Sequence, residues 1–226
     1  MAKKKIKWKP AVQYQAKKAA QAEARYTSGT KSYSFNYRWE HVKTVVKLAR
    51  VLVKECKGDT EIVEAAAWLH DAKKEYGKKH PIEGARFAKA FLPTTDFPSK
   101  KIGAVCHAIE VHSGLWRDTP LKNLEAQILW DADKLSKIGL TAAFHWIGGA
   151  LNREDRSFTS DELVKFLRRS DLMYKTAASF HTEAARKVAQ ERIAAFEQFW
   201  RTLDIELTGK DLRKWGKIHE EAAARG

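Results

Sequence analysis

The sequence predicts an all-α protein, a helical bundle with helical extensions at both ends. Apolar residues recur every three or four positions in nearly every segment, as in the stripe of His41, Val45, Leu48 and Leu52. No segment sustains the alternation of polar and β-branched residues that is typical of a strand, so no substantial sheet is expected. Residues that favour helix starts and stops separate the periodic segments.

The first predicted helix, AVQYQAKKAAQAEARY, is polar and Ala-rich, and we expect it to pack loosely on the domain. The next, HVKTVVKLARVLVKECKG, is expected to end at Gly58. Asp59 is a good N-cap for the following helix, which runs to His70. Pro81 is expected at the first position of a helix that extends to about Phe91.

Two further helices follow, and the remainder of the chain is also helical in pattern. Gly114 closes the helix in PSKKIGAVCHAIEVHSG, and Gly139 closes the one in LKNLEAQILWDADKLSKIG. Thr159 and Glu162 form a capping-box pattern. They predict the start of a long helical stretch, in one or two pieces, that reaches toward Asp204.

The length of 226 residues is sufficient for one domain with a sizeable core and an appendage. We expect a basic N-terminal extension over 1–33 that is partly helical or disordered. The helical bundle is expected over 34–207, and a charged C-terminal tail over 208–226.

The formal net charge of +14 is compatible with an anionic partner or with a solvated, lysine-rich surface. The lysines are spread along nearly every helix and no nucleic-acid-binding motif is found. A small anionic substrate is at least as compatible with this charge as nucleic acid, which stays an alternative that is not favoured. The composition does not indicate an oligomeric state.

No apolar run approaches the roughly 20 residues that a membrane-spanning helix needs, so no membrane association is expected. The basic start MAKKKIKWKP is not followed by the apolar stretch of a secretory signal. Cys56 and Cys106 lie far apart without metal-type spacing, which favours a reducing, cytoplasmic setting.

The stretch AAAWLHDAKKEY places His70 and Asp71 side by side at the end of a small apolar run. Such residues are costly to bury unless they are paired or bound to a metal. Other potential ligands lie on other predicted helices, mostly near their ends: His41, His80, His112, Asp131 and Asp133. Bundle interiors can bring such side chains together around a metal.

Imidazole and carboxylate donors without thiolate suit Fe, Mn, Zn, Ni or Co. Asp131 and Asp133 point about 200° apart on a helix, so they cannot both face one ion. Taken singly, His41 is also compatible with a hydrogen-bonded core histidine, and His80 with a simple capping residue.

The segments YRWEHVKTVVKLA, AAAWLHDAKKEY and EAQILWDADKLSKIG resemble the H…HD…D pattern of the HD-domain metal-dependent phosphohydrolase superfamily. That family is an all-α bundle in which two histidines and two aspartates bind one divalent metal. The resemblance covers roughly residues 35 to 150 and implies these ligands: His41, His70, Asp71 and Asp133. Asp133 is preferred because it occupies the family's AD-K position, which leaves Asp131 as an outer or surface residue.

His80 in KKHPIEGAR and His112 in AIEVHSG resemble the additional histidines of HD branches that bind two metals. The cyclic-dinucleotide phosphodiesterase branch is disfavoured, because VHSGLW has one histidine and the Gly-Tyr-Pro loop is missing. HDAKKEY resembles the HD-x-x-Lys-Glu arrangement of the symmetrical diadenosine-tetraphosphate hydrolases, whereas LEAQILWDADKLSKIGL resembles stand-alone HD nucleotide phosphohydrolases. The branch stays open, with one or two divalent ions expected from Fe, Mn, Zn, Ni, Co or Mg.

The expected function is metal-dependent hydrolysis of a phosphate ester or anhydride of a nucleotide or dinucleoside polyphosphate. The candidate catalytic residues are Asp71, Lys74 and Glu75. The resemblance implies that Lys74 lies near the substrate phosphate, and the positive charges of Lys134, next to Asp133, and Arg38, just ahead of His41, make them further candidates for phosphate binding. The lysines are also compatible with surface solvation, and Glu75 with a surface ion pair.

The alternative function is a metal-binding HD module with a regulatory or RNA-binding role and little catalysis. Trp8 stands among basic residues near the N-terminus, as in proteins that bind single strands, although a disordered tail is the simpler interpretation.

Overall fold

The computed structural model describes residues 5–28, 35–151, 157–167 and 171–213, and the structural statements that follow concern these ranges. No strand is found in them, and Ile6 and Thr95 form one isolated bridge, which confirms the all-α prediction. The α-helices are α1 Trp8–Ser28, α2 Tyr37–Glu55, α3 Thr60–Leu69, α4 His80–Phe91, α5 Ile102–Val111, α6 Leu124–Leu135, α7 Leu140–Leu151, α8 Ser160–Leu167, α9 Asp171–Ala177 and α10 Glu183–Thr208. Short 3-10 segments lie at Lys74–Lys79, Leu92–Thr94 and Ser99–Lys101.

Helix α3 is the centre of the bundle. From Ile62 to Leu69 every side chain is buried, as expected for a helix that is surrounded by others. Its run of alanines lets α2, α5 and α6 approach closely. Asp59 caps its N-terminus, accepting hydrogen bonds from the main-chain N–H groups of Glu61 and Ile62 at 3.0 and 3.2 Å, which confirms the predicted cap.

The other predicted helix starts are also found. Helix α4 begins at His80 with Pro81 in its first turn and ends at Phe91, as predicted. The main-chain N–H of Thr159 donates to the Glu162 carboxylate at 2.9 Å, and the main-chain N–H of Glu162 donates to the Thr159 hydroxyl at 3.3 Å. This is the predicted capping box at the start of α8.

Gly58 was expected to stop the second helix, but α2 ends earlier, at Glu55, and Lys57 adopts the left-handed conformation with φ 56°. The main-chain N–H of Gly58 still closes the helix end, by donating to the carbonyl of Val53 at 3.0 Å. Gly58 is also needed for packing. A Cβ at this position would lie 2.8 Å from Cδ1 of Ile128 on α6, so a side chain there would collide with the neighbouring helix.

Helix α1 packs on the bundle through buried apolar residues, although the sequence suggested loose packing. Val12, Ala16 and Ala20 lie in the main core. Trp8 is buried edge-on against Phe97, with ring centroids 5.2 Å apart, so its ring is not available for base stacking. Residues 1–4 and 29–34 of the expected N-terminal extension lie outside the described ranges.

The C-terminal part of the chain forms a smaller core where α7, α9 and α10 meet, around Met173, Phe196 and Trp200. The long predicted helical stretch is interrupted between Ala177 and Glu183, where the chain turns into α10. Of the expected tail over 208–226, residues 214–226 lie outside the described ranges. No described helix combines the length and the apolar character needed to cross a membrane.

Candidate metal centre

The fold brings the six expected ligands together at one end of α3. All of them are buried. Each element contributes one side chain or, at the end of α3, two adjacent ones: His41 from α2, His70 and Asp71 after α3, His80 from the start of α4, His112 after α5, and Asp133 from α6. The donor atoms form two groups of three, each within 4.8 Å of one another.

His41, His70 and Asp133 form the first group. The Nε2 atoms of His41 and His70 are 3.3 Å apart, and Nε2 of His41 lies 3.2 Å from Oδ1 of Asp133. Oδ2 of Asp71 borders this group, at 3.6 Å from His41 Nε2 and 3.5 Å from His70 Nε2.

Asp71, His80 and His112 form the second group. Oδ1 of Asp71 lies 3.3 Å from Nε2 of His80 and 3.7 Å from Nε2 of His112. The two imidazole Nε2 atoms are 3.3 Å apart. Asp71 therefore presents one oxygen to each group, so the two groups share this carboxylate.

Hydrogen bonds fix the proton of each imidazole in the first group. Nδ1 of His70 contacts the carbonyl oxygen of Ala67 at 2.8 Å, and because a carbonyl only accepts, Nδ1 carries the proton. The Ser136 hydroxyl donates to the carbonyl of Asp133 at 2.7 Å and accepts from His41 Nδ1 at 3.0 Å. In both rings the Nε2 lone pair faces the cluster.

The second group has the same arrangement. Nδ1 of His80 donates to the carbonyl of Gly77 at 2.6 Å, and Nδ1 of His112 donates to the carbonyl of Ile109 at 2.5 Å. Histidines that ligate metals are commonly oriented in this way, by a carbonyl that receives the other ring proton.

The chemistry of the cluster fits a divalent cation. Two pairs of imidazole Nε2 atoms face each other at 3.3 Å, which is repulsive unless a cation or proton lies close by. At the second pair the ammonium of Lys74 lies 3.1 Å from Nε2 of His80. Burial disfavours a proton on His41, whose pKa it lowers to about 3, and on His112, whose pKa it lowers to about 4. Oδ1 of Asp71 is buried without a hydrogen-bond partner, as expected for an atom that ligates an ion.

The carboxylates are held in the ionised form that metal binding needs. Burial opposes ionisation of Asp71, but the guanidinium of Arg38 holds its pKa well below the usual range. The pKa of Asp133 is likewise well below its usual range, because Lys134 and Lys137 outweigh the effect of burial.

Comparison with known proteins identifies the family. A family model described as the HD domain matches residues 38–138. The uncharacterized protein YpgQ of Bacillus subtilis strain 168 is 30% identical over 191 residues, which cover 79% of this chain and 88% of that protein. This chain belongs to the HD-domain superfamily.

Solved structures agree on the HD fold. A predicted HD superfamily hydrolase from an uncultured Thermotogales bacterium superimposes with a TM-score of 0.58 at 23% identity, covering 93% of this chain and 94% of that one. YpgQ in complex with ADP gives 0.59 at 20% identity, over 88% of this chain and 96% of that one. An HD-superfamily hydrolase from Bacillus thuringiensis gives 0.58 at 22% identity, over 87% and 98%.

Lysines surround the six expected ligands, which are called the HD cluster from here on, and these lysines differ in their exposure to solvent. The ammonium of Lys74 lies 3.1 Å from Nε2 of His80 and 3.3 Å from Oδ1 of Asp71, and its side chain is 31% exposed. Lys134 is fully buried, contacts the Asp133 carboxylate and donates to the carbonyl of His112 at 2.9 Å. Lys74 can therefore reach an anion from outside, whereas Lys134 is held among the ligands.

Burial lowers the pKa of Lys134 to about 8, although Asp133 acts in the opposite direction. Lys137, which the sequence analysis did not single out, donates to Oδ1 of Asp133 at 2.6 Å and remains partly exposed. Its spacing of four residues from Asp133 could have predicted this ion pair from the sequence.

Glu75 and Asp131 lie apart from the HD cluster. The Glu75 side chain is about half exposed and pairs with Lys73 at 3.4 Å, as in the alternative interpretation of this residue. Asp131, expected as an outer or surface residue, is fully buried. It accepts hydrogen bonds from the main-chain N–H groups of His181 and Thr182 at 3.0 and 2.8 Å, and thereby anchors the start of α10.

Proposed function

We propose that this chain is a metal-dependent phosphohydrolase that acts on a phosphate ester or anhydride of a nucleotide. The observation that carries the proposal is the convergence of six buried donors whose imidazole lone pairs all face one cluster. The complex of the relative YpgQ with ADP supports a nucleotide as the substrate class. The surrounding lysines suit a phosphorylated ligand.

Two sets of residues in this cluster would hold metal. His41, His70 and Asp133 would ligate one ion, and His80 and His112 would join Asp71 around a second. A divalent ion bound there lowers the pKa of coordinated water and polarises a phosphoryl oxygen.

The side chains themselves supply charge and orientation. Lys74 and Lys137 both combine contact with the cluster and partial exposure, and we assign Lys74, the more exposed of the two, to neutralise charge on the phosphoryl oxygens. Lys134 has its ammonium between the Asp133 carboxylate and the His112 carbonyl, which favours a role in holding ligands over substrate binding. The low pKa of Asp71 favours its assignment as a ligand over a role as a general acid at neutral pH.

The experiment is a metal-depletion and reloading series. The purified protein is stripped with EDTA, reloaded with Mn²⁺, and assayed for phosphate and pyrophosphate release from nucleoside phosphates and dinucleoside polyphosphates. We expect turnover only after reloading. The substrate that gives the highest kcat/KM would identify the bond that is cleaved.

Asp71→Asn is the variant that tests the same metal dependence, because it keeps the shape of the side chain and removes the charge of the ligand that the two groups share. We expect it to reduce Mn²⁺ binding and kcat/KM at least about 100-fold. Glu64→Gln is the control, since Glu64 is equally buried but pairs with Arg50 at 2.5 Å. Parental Mn²⁺ content and turnover in Asp71→Asn would contradict the assignment.

The regulatory or RNA-binding alternative has less support from the structure. The aromatic residue that suggested single-strand binding, Trp8, is part of the core. Mn²⁺ binding without phosphate release from any nucleotide, together with salt-dependent RNA binding, would favour this alternative over the enzyme.

A further inference from the structure

Arg38 connects the first helix of the chain to the metal centre. Its Nε and Nη2 atoms donate to the two carboxylate oxygens of Glu23 on α1, at 2.5 and 2.9 Å. Its remaining nitrogen, Nη1, donates to Oδ2 of Asp71. One guanidinium thus binds two carboxylates, and all three side chains are largely shielded from solvent.

The geometry explains how Asp71 presents its oxygens. Because Arg38 binds Oδ2, the carboxylate cannot rotate freely, and Oδ1 stays directed toward His80 and His112. Arg38 can hold this position only while its own plane is fixed. The two parallel bonds to Glu23 fix that plane, as paired bonds between arginine and a carboxylate generally do.

Glu23 comes from outside the segment that matches the HD-domain model, which begins at residue 38. Helix α1 is nevertheless held in the main core through Val12, Ala16 and Ala20, so the Glu23 carboxylate is supported by a rigid element. The contribution of α1 to the centre is therefore a property of this chain and not of the matched HD segment.

We propose that Glu23 is a positioning residue of the metal centre, acting through Arg38 to orient the shared ligand Asp71. The inference rests on the proposed function, because it assumes that the cluster binds metal. It also changes the role expected for Arg38, because each of its three nitrogens already donates to a carboxylate. Arg38 orients a ligand, and binding of the substrate phosphate falls to Lys74.

The test is Mn²⁺ affinity, measured by calorimetry on the EDTA-stripped full chain, for Glu23→Gln and the parent. We expect the Kd for Mn²⁺ to rise about 10-fold, the lower end of the effect of losing a hydrogen-bond partner of a ligand, because Glu23 acts on Asp71 through Arg38. At saturating Mn²⁺, KM for the nucleotide should match the parent. Glu64→Gln is the control, because it removes the same charge from an Arg–Glu pair that does not contact the cluster, and its Kd should stay within about twofold.

Arg38→Lys is the second variant, since it keeps the charge but cannot bind both carboxylates with a planar fork. Like Glu23→Gln, it should raise the Kd for Mn²⁺. Circular dichroism should show the helix content of the parent for both variants. A parental Kd in Glu23→Gln would overturn the inference. So would a raised KM with unchanged Mn²⁺ affinity, because that result would make Arg38 a substrate ligand.

Failure of the proposed function gives a different result. If the parent chain itself does not bind Mn²⁺, both the proposed function and this inference are wrong. If the parent binds Mn²⁺ and turns over a nucleotide while Glu23→Gln binds Mn²⁺ equally well, the inference alone is wrong.

Discussion

Asp131 and Asp133 are two residues apart on α6, and the structure gives them unrelated tasks. The same change, aspartate to asparagine, should therefore have different effects at the two positions. Asp131→Asn should destabilise the fold and leave metal binding intact. Asp133→Asn should remove metal affinity, because it neutralises a proposed ligand.

The loss of stability expected for Asp131→Asn follows from the hydrogen bonds that the Asp131 carboxylate accepts. Oδ1 accepts from the main-chain N–H and ring Nδ1 of His181 at 3.0 and 3.1 Å, and Oδ2 accepts from the main-chain N–H and hydroxyl of Thr182 at 2.8 and 2.7 Å. Whichever way the amide is turned, its NH₂ group meets one of the two main-chain N–H groups. A lost hydrogen bond to a charged acceptor, with its donor left buried, costs about 3 kcal/mol.

The loss also removes a negative charge from the N-terminus of α10, where the helix dipole favours it. For a chain of this size, 1 kcal/mol corresponds to about 2–4 °C in Tm, so the Tm of Asp131→Asn should fall by about 6–12 °C. The measurement is thermal unfolding of the EDTA-stripped protein, followed by circular dichroism.

Calorimetry with Mn²⁺ on the same preparations completes the comparison. The Kd for Mn²⁺ should stay within about twofold of the parent for Asp131→Asn and rise at least about 100-fold for Asp133→Asn. If Asp131→Asn unfolds at the parental Tm, Asp131 does not stabilise the start of α10 and the assignment is refuted. It is also refuted if Asp131→Asn loses Mn²⁺ while Asp133→Asn retains it.

Two further predictions concern the cap of α3 and the exposed lysine. Asp59→Ala should cost about 1 kcal/mol of the free energy of unfolding at pH 7, measured with urea. Despite partial burial, Lys101 at 2.6 Å and two main-chain N–H groups lower the pKa of Asp59, so its stabilisation is present above the ordinary value of 3.8 and disappears as the pH falls through the lower folded-state pKa. The difference between the parent and Asp59→Ala should thus shrink in acid, and a constant difference from pH 7 to pH 2 would count against the cap. Lys74→Met should lower kcat for the nucleotide about 100-fold without weakening Mn²⁺ binding, and an unchanged kcat in steady-state assays would exclude Lys74 from charge neutralisation.

Much of the local structure could be predicted from the sequence, because caps and periodicity are local properties. Asp59, Pro81 and the Thr159–Glu162 pair act within one helical turn, and their roles follow from neighbouring residues alone. Gly58 acts as a local stop signal through its hydrogen bond to Val53, although α2 itself ends three residues earlier, at Glu55. Its close approach to Ile128, a residue distant in sequence, could not be predicted from the neighbouring residues.

The same division holds for the site. The sequence indicated which residue types could ligate a metal, but not which groups would be exposed to an anion. Lys134 and Lys74 are alike in sequence, each next to or near a ligand, and only their packing separates a buried ammonium from an accessible one. Trp8 has basic neighbours in sequence and an apolar neighbour, Phe97, in space.

The amino-acid sequence by itself determined an all-helical chain with a set of histidines and aspartates near helix ends, because helix periodicity and capping depend on residues that are close together in the sequence. The tertiary structure decided how those side chains divide into two groups around Asp71, that Asp131 anchors α10, and that Glu23 reaches the centre through Arg38. These relations join residues that are 15 to 92 positions apart, as between Arg38 and Glu23 or between His41 and Asp133. Distances over such separations depend on how helices pack, and packing is a property of the whole core.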